Sequence, residues 1–285
     1  MIETEAKKIQ KTPVNTDKLS LCDTKYPIIL VSGMGFKEHN FALNYWGIIP
    51  DYLKERGGMV FTANQDAFCS HLENAIKLKN RILDILEKTN HRKINIIAHS
   101  KGGLEARYMI SKLDMGNKVA SLTTIGTPHR GSGIADIVVG KIPLGKFAAA
   151  RMVNIYASIM GDKQPDSLRA VVQVTTEAMA LFNKEIIDHP KVYYQSYASH
   201  VNKEYPNFLW RSLAGFLYIS DGKNDGIVSI ESAKWGDFKG IIKTDEAPSI
   251  NHADQVGLFR FSGNPAFKAT RFYAQLLQDL KKSGF

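Results

Sequence analysis

Long apolar runs, cysteines and acidic residues are all in short supply in this sequence of 285 residues. It contains no uninterrupted apolar stretch of about 18 residues, so no membrane-spanning helix is predicted. The two cysteines, Cys22 and Cys69, are too few for a disulfide framework, and both are predicted to be free thiols. Residues 1–18 lack the apolar core of a secretory signal peptide, which predicts a cytoplasmic location or export by another route.

What the sequence does contain is the composition of a globular protein with a basic surface. Hydrophobic residues make up 44% and charged residues 23%, and 37 lysines and arginines against 28 acidic residues give a net charge of +9. Positive charge favours anionic partners such as nucleic acid, an anionic membrane or an acidic substrate. The basic residues are scattered and not interleaved with clustered aromatics, so nucleic-acid binding is not predicted.

Short apolar runs alternate with amphipathic segments along the chain. The predicted strands are residues 26–32, 59–62, 94–98, 119–125 and 192–198, and the predicted helices are residues 41–56, 70–88, about 101–113 and about 265–282. This alternation requires crossover connections and predicts an α/β fold, a mostly parallel sheet with helices on both faces. The simplest division is an N-terminal arm over residues 1–25 and one domain over residues 26–285.

The most informative stretch is INIIAHSKGG, from Ile94 to Gly103. A buried strand ends near Ala98, Ser100 follows, and Gly102 opens a helix. A serine on so sharp a turn adopts a positive φ and requires very small residues two positions before and after it, which Ala98 and Gly102 supply. The turn lifts the hydroxyl clear of the sheet, so Ser100 is predicted to be a catalytic nucleophile; its alternative is a helix cap.

A nucleophilic serine needs a base, and the base needs an acid that orients it. In enzymes with such an elbow the chain order is serine, acid, histidine. His252 lies in a late polar loop before the last helix and is the predicted base, with His129 and His200 as alternatives. Asp225, in KNDGIV, is the predicted acid because Asp-Gly before a short apolar run can turn a carboxylate inward; Asp221 has a similar context and stays an alternative.

Two backbone N–H groups are predicted to hold the oxyanion of the reaction. Lys101 follows the nucleophile at a helix N-terminus, where the helix dipole is positive. Met34 lies between two glycines after the first strand, the second place from which such enzymes draw a donor.

Residues 134–160 predict a helical lid. They carry four charges in 27 residues and are interrupted by glycines and a proline. In the second half most apolar side chains fall on one side of a helical wheel, opposite the cationic Lys146 and Arg151. Such a segment suits a lid that opens over the serine at an anionic lipid interface.

Several of these stretches together resemble the bacterial triacylglycerol lipases of the α/β-hydrolase fold. The stretches are YPIILVSGMGF, AHSKGG, GTPHRGS, KNDGIV and NHADQV, and the resemblance runs from about residue 26 to the end of the chain. It implies an α/β-hydrolase fold, Ser100 as nucleophile, Asp225 as acid and His252 as base. It also implies an oxyanion hole formed by the N–H groups of Met34 and Lys101.

The resemblance further favours Asp225 over Asp221, and it makes three departures visible. Ser32 stands where the family usually has histidine. Lys101 replaces a more usual histidine, glutamine or methionine, which predicts a cation beside the nucleophile. Many members hold a calcium ion near the base.

For that calcium ion Asp254 matches one ligand, but Trp210 and Leu258 stand at the positions of two others. No cofactor is therefore expected to be required.

The function that follows is a serine ester hydrolase acting on acylglycerols or other long-chain acyl esters, with a lipid or ester as its partner. A soluble short-chain esterase or an acyltransferase on the same three residues is the nearest alternative. From another class, a basic protein that binds nucleic acid or an anionic membrane is the alternative.

Overall fold

A computed structural model describes residues 20–34, 45–63, 70–140, 170–258 and 266–285. Their strands are β1 (Ile28–Val31), β2 (Val60–Thr62), β3 (Ile94–His99), β4 (Val119–Ile125), β5 (Tyr193–Ala198) and β6 (Asp237–Ile241). They form one sheet in the order β2-β1-β3-β4-β5-β6, and every pair of neighbours is parallel. The predicted parallel sheet is thus confirmed.

The central strands are buried because helices cover both faces of the sheet. β1, β3 and β4 are buried over their whole length, which explains their nearly continuous apolar sequences. The edge strand β6 instead has exposed and half-buried residues in alternation. It has little apolar patterning, which is why the sequence did not predict it.

The helices connect these strands and supply the two outer layers. They are α1 (Ile49–Lys54), α2 (His71–Thr89), α3 (Gly102–Lys112), α4 (Gly133–Val138), α5 (Thr176–Glu185), α6 (Phe208–Asp221), α7 (Ile230–Ala233) and α8 (Ala269–Lys282). α2 and α3 pack together on one face, and α1 and α8 pack together on the other. No helix in the described ranges is long and apolar enough to cross a membrane.

The lid and the N-terminal arm are only partly within the described residues. Residues 134–137 of the predicted lid belong to α4 and are buried, and the rest of the prediction from residue 141 to 160 lies outside the described residues. In the arm, Cys22 is a buried free thiol whose N–H donates to the carbonyl of Arg56, and Lys25 N–H donates to the carbonyl of Phe285. Residues 20–25 are therefore bonded to the domain, while residues 1–19 and Cys69 lie outside the described residues.

Candidate active site

Ser100 occupies the sharp turn that the sequence predicts. β3 ends at His99, α3 begins at Gly102, and Ser100 between them has a φ of +54°. Such a φ is unfavourable for a residue with a side chain, so neighbouring groups must hold it. The Ser100 N–H donates to the carbonyl of Ile125 at 2.9 Å, and the Thr127 hydroxyl donates to the Ser100 carbonyl at 2.8 Å.

Three glycines make room for this turn. A Cβ at Gly33 would lie 2.6 Å from the Cβ of Ser100. A Cβ at Gly102 would lie 2.4 Å from the carbonyl oxygen of Ser32, and one at Gly103 would lie 2.3 Å from the hydroxyl of Thr127. The turn therefore depends on close backbone approach as well as on the positive φ.

His252 and Asp225 meet directly, as predicted. His252 Nδ1 lies 2.7 Å from Asp225 Oδ2, and the His252 N–H donates to the Asp225 carbonyl at 3.1 Å. The contact fixes the ring with Nδ1 toward the carboxylate and leaves Nε2 for another partner. Ser100 and His252 line the same cavity.

The Asp225 carboxylate is buried, and hydrogen bonds saturate it. Its Oδ1 accepts the N–H groups of Ile227 at 3.0 Å and Val228 at 2.8 Å. Its Oδ2 accepts from His252 and from the side-chain amide of Gln255, also at 2.7 Å. These donors fix the orientation of the buried carboxylate.

The alternative acid and bases lie elsewhere. The Asp221 carboxylate accepts the N–H of Gly133 at 3.0 Å and anchors the start of α4. His129 is fully buried, contacts Thr124 at 3.0 Å and stacks on Trp235, and burial holds its pKa well below the usual value. His200 lines a second cavity, described below.

A chain of buried hydrogen bonds extends from the acid to the residue before the nucleophile. Gln255 donates from Nε2 to Asp225 and to the Ser199 hydroxyl, each at 2.7 Å. Its Oε1 lies 3.0 Å from His99 Nε2, and His99 Nδ1 lies 2.6 Å from the Tyr45 hydroxyl. In a neutral His99 these contacts put the ring proton on Nε2, facing the Gln255 oxygen, and Tyr45 donates to Nδ1.

The environment of His99 agrees with that neutral state. Its ring is fully buried and lies 4.5 Å from the His252 ring, centroid to centroid. Burial, and then the positive charge that His252 can carry, hold the pKa of His99 well below its usual value. One positive charge beside the nucleophile can therefore form on His252 without a second on its neighbour.

The cavity over Ser100 is mostly apolar. Met34 and Lys101, the two predicted oxyanion donors, line it with Ser100 and His252. Its other lining residues are Tyr45, His99, Pro128, Ser132, Val174, Trp210, Ile227, Val228, Ala253 and Leu258. The residues predicted to be the oxyanion donors, the nucleophile and the base therefore line one cavity with mostly apolar walls.

The Lys101 side chain does not act as an open cation beside the nucleophile, which corrects the prediction made for it. It is buried, and its ammonium contacts Glu105 Oε1 at 2.5 Å. Asn74 donates to the same oxygen at 2.8 Å. The Lys101 side chain runs forward along α3 to Glu105, because a lysine and a glutamate four residues apart lie on one face of a helix. Its charge is neutralised there.

Asp254, the one residue that matches a calcium ligand, is hydrogen-bonded to protein groups. Its Oδ2 accepts the Tyr205 hydroxyl at 2.6 Å and the Asn251 N–H at 3.1 Å, which places donors where a cation would need oxygen ligands. Its buried Oδ1 has no hydrogen-bond partner among the described residues. Within the described ranges no group of three or more His, Cys, Asp or Glu could hold a metal ion.

The sequence alone did not identify Gln255, His99 and Tyr45 as parts of this site. Two of them lie close in sequence to predicted site residues. Gln255 stands three residues after His252, within the short helix Asp254–Val256, and His99 directly precedes Ser100. Tyr45 is 54 residues from its partner, so only the fold could place it.

Comparisons with known proteins agree with this geometry. A model of the palmitoyl protein thioesterase family matches residues 27–258. Triacylglycerol lipase 2 of Saccharomyces cerevisiae is 31% identical over 259 residues, which are 85% of this chain and 75% of the yeast protein. A triacylglycerol lipase of Vibrio cholerae is 28% identical and covers 92% of this chain and 89% of its own.

Solved structures share the fold. A mature Bacillus licheniformis lipase has a TM-score of 0.66 at 21% identity, over 89% of this chain and 92% of its own. Lipase 1 from Pelosinus fermentans has a TM-score of 0.66 at 19% identity, over 91% of this chain and 99% of its own. The chain has the α/β-hydrolase fold, belongs to the palmitoyl protein thioesterase family, and is an enzyme of the lipase and carboxylesterase type.

Proposed function

We propose that the chain hydrolyses long-chain carboxylic esters, acylglycerols first among them, with Ser100 as nucleophile, His252 as base and Asp225 as orienting acid. The observation that carries the proposal is the 2.7 Å contact between His252 and Asp225 beside a serine at φ +54°. A buried carboxylate, an imidazole and a serine on a strained turn are the parts of an acyl-transfer site.

In the first half-reaction His252 Nε2 takes the proton of Ser100 as its oxygen attacks the ester carbonyl. Asp225 stabilises the imidazolium without taking its proton. His252 then gives the proton to the departing alcohol, and the acyl group stays on Ser100. The N–H groups of Met34 and Lys101 hold the oxyanion, where one donor is worth roughly 3–4 kcal/mol.

In the second half-reaction water replaces the alcohol. His252 removes a proton from that water, the hydroxide attacks the acyl carbonyl, and the proton returns to Ser100 as the acid leaves. An acyltransferase would admit an alcohol instead, and a thioesterase would release a thiol in the first half-reaction. The matching family model names thioester hydrolysis, so a palmitoyl thioester belongs among the substrates to be tested.

The nucleophile can be tested by covalent labelling. A lipid-like organophosphonate should modify the protein, and peptide mapping should find the label on Ser100. Ser100→Ala should lower ester turnover by several orders of magnitude without a large change in the free energy of unfolding. Full turnover by this variant would reject the proposal.

The substrate class needs a separate measurement. Rates on p-nitrophenyl esters of increasing chain length, emulsified triacylglycerol and palmitoyl thioester should be highest for long oxyesters. A preference for short soluble esters would identify an esterase. A preference for the palmitoyl thioester would identify a thioesterase, the activity in the name of the matching family. Because no metal takes part in the proposed steps, EDTA is expected to leave turnover unchanged.

A further inference from the structure

A second cavity, of about 710 Å³, lies on the outer side of α6. It shares no lining residue with the cavity over Ser100. Its lining residues are His200, Val201, Asn202, Lys203, Phe208, Arg211, Ser212, Ala214, Gly215, Tyr218 and Lys223. None of them is acidic, and three are basic: Lys203, Arg211 and Lys223.

The three cations are not neutralised by their neighbours in the described structure. Lys203, Arg211 and Lys223 have no carboxylate within 4.0 Å there. The nearby acids serve other groups, because Glu204 contacts Asn202 at 3.4 Å and Asp221 accepts the N–H of Gly133. Three cations around one open cavity favour an anionic ligand.

Large apolar side chains of α6 are exposed beside Arg211, the one of the three cations that lies on this helix, while Lys203 precedes the helix and Lys223 follows it. Phe208 is 68% exposed, Tyr218 60% and Ile219 87%, whereas Trp210 and Leu217 on the opposite side are buried. The Arg211 guanidinium lies 5.9 Å from the Phe208 ring. A helix with exposed apolar side chains beside lysine and arginine is typical of segments that lie in the surface of an anionic bilayer.

The position of the cavity explains why such a contact would serve this enzyme. Trp210 of α6 lines the cavity over Ser100, so the two cavities are one helix diameter apart, roughly 10 Å. Val201 N–H donates to the carbonyl of Asn224 beside the acid, and Ile250 N–H donates to the carbonyl of His200. The surface is therefore hydrogen-bonded to the loops that carry Asp225 and His252.

We propose that Lys203, Arg211 and Lys223, with Phe208, Tyr218 and Ile219, form a surface on α6 and at its two ends that docks on a membrane or lipid particle containing anionic phospholipid. The cations bind phosphate groups, and the apolar side chains enter the headgroup region. The lipid nature of the partner rests on the proposed function, but the docking itself needs no catalysis. It brings water-insoluble esters to within one helix diameter of Ser100.

Vesicle binding tests the docking surface directly. In the Ser100→Ala background, sedimentation with phosphatidylglycerol-containing vesicles and with pure phosphatidylcholine vesicles measures binding without hydrolysis. Lys203→Glu, Arg211→Glu and Lys223→Glu together should weaken binding to the anionic vesicles by at least about 100-fold, and Ile219→Ser should weaken it less. Added salt should weaken binding to the anionic vesicles, since exposed charges are screened.

A matched variant separates this surface from the overall positive charge. Arg92→Glu, Lys118→Glu and Lys184→Glu together change the net charge by the same amount at exposed positions away from α6. This variant should keep most of the binding, and thermal unfolding should show both triple variants folded. Equal loss in both, or equal binding to the two vesicle types, would overturn the proposal. So would α6-dependent binding of a single-stranded oligonucleotide in the absence of vesicle binding.

Because docking is measured in a catalytically dead background, its failure is distinct from failure of the proposed ester hydrolysis.

Discussion

The side-chain amide nitrogen of Gln255 lies 2.7 Å from Oδ2 of Asp225. That oxygen also contacts His252 at 2.7 Å, so one carboxylate oxygen accepts from two side chains. The amide cannot turn over without loss, because its oxygen faces the N–H of His99. The acid is thereby tied to the residue next to the nucleophile, and Gln255 is a positioning residue of the site.

Gln255→Glu should test this tie. The new carboxylate would meet Asp225 Oδ2, where two acceptors repel unless they share a proton. Misplacement of the acid should lower kcat/KM on a soluble ester roughly tenfold to a hundredfold. The added negative charge favours the imidazolium, so the acid limb of the pH–rate profile should move to higher pH.

Gln275→Glu is the matched control for that change. Gln275 also donates to an aspartate, Asp279, at 3.0 Å, but on the exposed side of α8. Its substitution should leave both kcat/KM and the pH–rate profile unchanged. If Gln255→Glu behaved like this control, the tie between Gln255 and Asp225 would have no part in catalysis.

The sequence predicted the parts of the site that depend on local chemistry. The elbow at Ser100, the late loop of His252 and the Asp-Gly turn of Asp225 each have a pattern within a few residues, and the fold brings the last two into contact. The prediction for the Lys101 side chain was wrong, because its partner Glu105 is also held by Asn74 where α2 packs on α3. The sequence does not show that packing. The helix α6 was also missed, since apolar residues on nearly all its sides obscure the helical period.

Gly33→Ala should have a larger effect on kcat/KM than on the free energy of unfolding. The added Cβ would lie 2.6 Å from Ser100 Cβ and 2.8 Å from the Tyr45 hydroxyl, so the nucleophile or its support must shift. We expect at least about a hundredfold loss in kcat/KM, as a displacement of about 1 Å can cause.

Gly215→Ala, in the exposed middle of α6 with no atom within 4 Å of the added Cβ, should instead stabilise the protein by about 0.5–1 kcal/mol. Ester-hydrolysis assays measure kcat/KM of both variants, and urea unfolding measures their stability.

The buried contact between Lys101 and Glu105 should show strong coupling in a double-mutant cycle. Lys101→Met or Glu105→Gln alone leaves one buried charge without its counter-ion and should cost about 3–5 kcal/mol of unfolding free energy. The double variant removes both charges and keeps an acceptor for Asn74, so it should cost less than either single change.

The same cycle on an exposed pair gives the reference value. Lys88 and Asp84 on α2 are 2.7 Å apart with side chains 70% and 37% exposed. Their coupling should be far weaker than that of the buried pair, because solvent screens exposed charges. Coupling of equal size in the two cycles would mean that burial does not strengthen the interaction between Lys101 and Glu105.

Asp254 should make the protein less stable as the pH rises through the weakly acid range. Burial raises the pKa of Asp254 to about 6, above its ordinary value of 3.8. Between these two pH values the folded protein holds a proton that the unfolded chain has released, so the free energy of unfolding falls as the pH increases. Above about pH 6 the full penalty applies, and the shift corresponds to about 3 kcal/mol.

Asp254→Asn removes this titration while it keeps an acceptor for the Tyr205 hydroxyl. The stability of the variant relative to the parent should therefore rise by about 3 kcal/mol between pH 4 and pH 7, measured by urea unfolding at each pH. Asp245→Asn, at an exposed position, should give a curve parallel to the parent. A parallel curve for Asp254→Asn as well would mean that the carboxylate ionises equally easily in the folded and unfolded chains, and that its burial is relieved by a partner of Oδ1.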